Sequence, residues 1–144
     1  MKLYKALKLK NKMVGEISKL QQTIGQKNSF IVGSEKNYDV KELLKELENK
    51  KVELVKLKLA INDANSKIQG DIYDLSETKS LIAFYGGLSC SKGKVSRGFG
   101  GEATEYDCQF SELERDKEVK KLEEILEETQ ERIDAHNHIT EIYL

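Results

Sequence analysis

Residues 40–69 read VKELLKELENKKVELVKLKLAINDANSKIQ. Val40, Leu47, Leu54, Ile61 and Ile68 fall seven apart, and Leu43, Lys50, Leu57 and Ala64 fill a second position of the same repeat. Two apolar seam positions per seven residues are the pattern of helices that pack along their length. Lys50 is a charged break in that seam. Asp39 stands where a helix cap is needed, and Glu42 is three residues on, able to reach back. Gly70 stands where the helix is expected to end. Such a helix is roughly 45 Å long at ~1.5 Å per residue.

Working outward, residues 2–27 carry Leu3, Leu7, Val14, Ile17 and Ile24 at spacings of three, four or seven, with Met13 and Leu20 widening the stripe. This predicts a first amphipathic helix. Gly15 and Gly25 weaken it by about 1 kcal/mol each relative to Ala. Residues 28–38 form a connector in which Phe30, Ile31 and Val32 are expected to cover one end of a bundle. Residues 75–85 predict a shorter helix capped by Asp74 or Ser76 and stopped by Gly86 and Gly87.

Residues 86–101 hold six of the ten glycines and read as a loop or hairpin. Thr104, Tyr106, Cys108 and Phe110 alternate with polar residues, so a short strand is expected over 104–110. Its partner is either Val95 to Phe99 or the same strand of a second copy. Ser111 and Glu114 form a capping box. It opens a last helix over 112–142, with Val119, Leu122, Leu126, Thr129, Ile133, His136 and Thr140 on its apolar stripe. That helix roughly matches residues 40–69 in length, so the two are expected to lie alongside each other.

The 144 residues are 34% charged and 38% hydrophobic, without Pro or Trp. Interior Pro breaks helices, so its absence suits long unbroken ones. The net charge of −1 conceals +6 over residues 1–28, +2 over 29–101 and −9 over 102–144. No apolar run approaches the roughly 20 residues of a membrane span, and Met1 to Leu20 lacks the apolar core of an export signal. A cytoplasmic location with no membrane partner is therefore expected. Cys90 and Cys108 have 17 residues between them. Reduced thiols suit that compartment, though a disulfide is compatible with the sequence. The expected fold is one mainly α domain over 1–144. It is a helical bundle built on a long antiparallel, coiled-coil-like hairpin, with a small β element before the last helix.

Several segments resemble a family of bacterial and phage helical proteins, some of which carry the name septicolysin. The matching pieces are Lys2-Leu3 with Ala6-Leu7, Asp39 with Glu42-Leu43-Leu44, and Glu53-Leu54 through Ile61-Asn62 and Asn65. The tail Glu131-Arg132-Ile133 with Asn137 and Thr140-Glu141-Ile142 completes them. The resemblance is diffuse over most of the chain. In the family the asparagine pair lies in an Ile-Asn-Arg-Thr-Asn run, where this chain has Asp63 and Ala64 in the middle positions. The resemblance implies a helical bundle with a long hairpin and no established activity.

Chemistry-bearing patterns are sparse. Asn62 and Asn65, with Asn137, Thr140 and Glu141, are candidates for a polar cluster at one bundle end. That cluster is either a small binding site or a register-fixing device. His136 and His138 point about 200° apart on a helix and cannot share a metal as a helical pair. His136 falls on the apolar stripe, as a hydrogen-bonded core residue would. No zinc-type ligand spacing, phosphate loop or nucleophile elbow occurs. No metal, cofactor or catalytic residue is therefore nominated. The favoured expectation is a non-enzymatic protein that associates with itself, or with a partner protein, through helical seams. Val40, Leu47, Leu54, Ile61, Leu122, Leu126 and Ile133 are its packing groups. The alternative is a nucleic-acid-binding module using the basic first helix with Lys92, Lys94, Arg97 and Phe99, cations for phosphate and an aromatic for stacking.

Overall fold

The computed structural model describes residues 1–96, 98 and 100–144. It is mainly helical: α1 is Leu3–Lys27, α2 is Val40–Asn65, α3 is Gln69–Gly86 and α4 is Glu112–Ile139. A 3₁₀ turn, Ser66–Ile68, joins α2 to α3. Two short strands, β1 (Gly93–Ser96) and β2 (Ala103–Tyr106), pair antiparallel before α4. The chain divides into two compact units, Met1–Lys67 with Ala135–Leu144, and Ile68–Asp134.

In the first unit α1 and α2 form the expected antiparallel hairpin. Leu3, Ala6 and Met13 of α1 are buried together with Leu57 and Ile61 of α2, and Leu7, Leu9, Leu54, Ala60 and Ala64 pack against that cluster. Leu57 is only 2% exposed. Farther along the hairpin, Lys50 Nζ meets Glu16 Oε2 at 3.2 Å. The charged break in the seam therefore faces an opposite charge rather than an apolar side chain. The Asp39 cap forms, with its Oδ1 accepting from the Glu42 amide at 3.3 Å. Glu42 does not reach back but turns to Lys45.

Within the first unit the partner of α2 is α1, while residues 112–134 of α4 belong to the second unit. Gly70 does not end a helix. α2 ends at Asn65, and Gly70 lies inside α3, which starts at Gln69 rather than at residue 75. A glycine costs a helix only about 1 kcal/mol, too little to stop one whose neighbours pack. The stop at Gly86 is as read, and Gly87 caps α3 by donating to carbonyls of its last turn.

α4 ends at Ile139, short of residue 142, because Thr140–Ile142 leaves the helix to pair with the other end of the chain. Leu3 N donates to Thr140 O and Ile142 N to Met1 O, both at 2.8 Å, forming a bridge at Lys2 and Glu141. This pairing delivers Ile142 to the Leu3–Leu57 cluster, where it is buried.

In the second unit α3 and α4 run antiparallel. Asp71 near the start of α3 binds Arg132 near the end of the unit at 3.1 Å, and Arg115 near the start of α4 donates to Leu88 O at 3.3 Å. Thr78, Leu122, Thr129 and Ile133 are its buried side chains. The Ser111 capping box is complete: Ser111 Oγ accepts from the Glu114 amide at 3.1 Å, and Glu114 Oε1 accepts from the Ser111 amide at 3.4 Å. β2 is shorter than the strand expected over 104–110. Asp107 Oδ1 takes the Cys108 amide at 2.8 Å, which withdraws that donor from any ladder just before the cap. The partner is the one within the chain, with Val95 opposite Thr104.

Candidate interaction surface

The seam of α2 is occupied within the chain. Leu57 and Ile61 are buried, and Val40, Leu43, Leu47, Leu54 and Ala64 are half-buried. Of the seven packing groups singled out in the sequence, Val40, Leu47, Leu54 and Ile61 lie on this hairpin seam. Leu122 and Ile133 are buried in the second unit and Leu126 is half-buried there.

α2 carries a second apolar stripe that the seven-residue repeat conceals. Leu44, Val52, Val55 and Leu59 are between 42% and 64% exposed. At about 100° per residue they span roughly 80° of the helix, centred about 140° round from the seam. A chain of this size rarely leaves several neighbouring Leu and Val side chains in water without a use for them. Lys41, Lys45, Lys51, Lys56 and Lys58 flank the stripe, with Glu48 and Asp63 as its acids, and all seven are exposed.

The stripe continues toward the α1–α2 connector. A hollow of about 920 Å³ opens there, lined by Phe30, Ile31, Tyr38, Val40 and Leu44 among others. Ser34 N and Oγ both donate to Ile31 O, and Gly33 at φ +87° supplies the left-handed conformation of that turn. Phe30, Ile31 and Val32 cover no bundle end, contrary to expectation. They point outward, and Val32 is 95% exposed. Lys36 Nζ lies 4.7 Å from the centre of the Phe30 ring, and Lys27 Nζ lies 5.8 Å from that of Tyr38.

Of the polar cluster nominated at the other end of this unit, Thr140 and Glu141 are engaged in intrachain contacts. His136 Nε2 lies 3.0 Å from Ala64 O. A carbonyl only accepts, so Nε2 carries the proton, and Nδ1 is left to accept from Thr140 Oγ1 at 3.3 Å. Glu141 binds Lys2 Nζ at 2.9 Å and the Met1 ammonium at 3.0 Å. These two cations, Lys2 foremost, hold its carboxyl below the usual carboxylate range. His138 stacks on Tyr4 with ring centres 4.9 Å apart. Asn62 is exposed, while Asn65 and Asn137 are half-buried. Asn65 Oδ1 is buried without a hydrogen-bond partner among the described residues.

The residues of the nucleic-acid alternative are only partly placed. Lys92 and Lys94 are exposed, and Lys94 sits opposite Glu105 in the β ladder. Arg97 and Phe99 lie outside the described residues. Among the described residues no three His, Cys, Asp or Glu side chains group to hold a metal, and no helix is long and apolar enough to cross a membrane.

Comparison of the chain with family models, curated proteins and solved structures gives no match. The resemblance to the septicolysin-like proteins thus rests on the residue runs quoted above.

Proposed function

We propose that this protein is a non-enzymatic helical module that associates with a second copy of itself through the outer stripe of α2. The observation that carries this reading is the exposure of Leu44, Val52, Val55 and Leu59 on a helix whose other apolar face is already covered.

A second copy fits because the stripe is close to symmetric about its own middle. Leu44 and Leu59 lie eight and seven residues on either side of Val52. Two such helices related by a two-fold axis set Leu44 against Leu59 of the other copy and bring the two Val52 side chains together, an isologous contact. Glu48 then falls within one turn of Lys51 and Lys56 of the other copy. Eight half-exposed side chains supply about 1 kcal/mol each, against an association cost of about 4–15 kcal/mol. The expected dimer is therefore weak and concentration-dependent.

The test is sedimentation velocity over a concentration series. Val55→Lys with Leu59→Lys changes exposed positions, so the fold is retained while association is lost. Wild type that stays monomeric at the highest concentration, or a variant that associates as strongly as wild type, overturns the proposal. Leu54 is the wrong residue for this test, since it packs on the intrachain core.

A further inference from the structure

We propose that Cys90 and Cys108 form a paired-thiol site that low-molecular-weight disulfides oxidise reversibly. Both are free thiols and both are half-buried. They line one hollow of about 400 Å³ together with Lys92, Ser111, Glu112 and Asp116.

The strand register explains their proximity. Gly93 pairs with Tyr106 and each step outward moves one residue along each strand. Cys90 lies three residues before Gly93 and Cys108 two residues after Tyr106, so both flank the same end of the pairing. A disulfide needs Cα atoms about 4.4–6.8 Å apart. Residues 91–92 and 107–109 lie outside the regular ladder, so closing the last gap breaks no strand pairing. Arg115 Nη1 ties Leu88 O to the first turn of α4 at 3.3 Å, which holds the Cys90 side of the hollow in place.

The chemistry is thiol–disulfide exchange. The thiolate of one cysteine attacks a sulfur of the small disulfide, the S–S bond breaks, and one small thiolate leaves and takes up a proton. The second cysteine thiolate then attacks the sulfur of the first, expelling the other small thiolate, which is protonated in turn. The protein loses two electrons and two protons, and the reagent becomes two thiols. The product closes a loop of 17 intervening residues around both strands.

The experiment incubates the native, full-length chain with oxidised glutathione and reads intact mass after acid quenching. The expected product is a monomer lighter by two hydrogens and free of glutathione, while Cys90→Ser and Cys108→Ser each stop at a single adduct. The same exchange in strong urea is expected to give an effective thiol concentration at least ten-fold lower. Accumulation of stable glutathione adducts, intermolecular dimers or unreacted thiols in the native wild type overturns the site. So does a urea reaction as efficient as the native one. The wild-type measurements stand alone should a serine variant fail to fold.

Discussion

Lys50 and Glu16 show how single residues specify this hairpin. A lysine at a seam position is costly unless its charge is met, and Glu16 meets it at 3.2 Å with Lys50 only 27% exposed. The break at Lys50 is visible in the repeat, but its partner is not, because the repeat of one helix carries no information about the other helix's register. Glu141 offers the sharper test at this scale. Its folded pKa lies below the ordinary carboxylate value, because the charged form binds Lys2 and the Met1 ammonium. The stability it contributes is thus present above its unfolded pKa and is lost as pH falls through the lower folded value. Glu141→Gln is expected to lower the thermal midpoint near neutral pH, with the difference from wild type vanishing at strongly acidic pH. A difference that stays constant across that range contradicts the pairing. The sequence marks Glu141 as part of a possible ligand cluster; its partners, at the opposite end of the sequence, become apparent only when both ends are placed.

At the scale of elements, periodicity was a sufficient guide wherever packing and propensity agree, as in α1, α2 and α4. Punctuation was less reliable. Ser111–Glu114 and Gly86–Gly87 act as read because they meet hydrogen-bonding needs at helix ends. Gly70 does not, because the break falls earlier, in the 3₁₀ turn Ser66–Ile68. β2 misled in the opposite way. Tyr106, Cys108 and Phe110 do alternate as half-buried residues, but a burial pattern persists without a ladder once Asp107 takes the Cys108 amide. Glycines within helices give a direct test of propensity. Gly15 lies in mid-α1, and a Cβ placed there meets nothing within 4 Å. Gly15→Ala is expected to stabilise the chain by about 0.5–1 kcal/mol, read as a higher urea midpoint at unchanged slope. A lower midpoint would mean that the hairpin uses the missing side chain.

For the whole molecule, the decisive feature is that one long helix has two apolar faces with different fates. The face seen first, Val40 to Ile61, is covered by the chain's own α1, so it cannot also be the contact between copies while the hairpin stays closed. The face that remains, Leu44 to Leu59, was hidden because both stripes contribute to one apolar count and the seven-residue repeat accounts for the stronger. Its lysine border gives self-association a distinctive dependence on salt. Five lysines against two acids make each stripe net positive, so two copies repel until ions screen them over a Debye length of about 10 Å at 0.1 M. Nucleic-acid binding through the basic α1 has the opposite dependence, since releasing counterions weakens as salt rises.

The most direct measurement is therefore the light-scattering mass of the wild-type chain across a concentration series at low and at high salt. Self-association through α2 predicts a mass that climbs from one copy toward two as concentration rises, and that climbs earlier at high salt. A mass fixed at a single copy under every condition, or an assembly that salt dissolves, contradicts it.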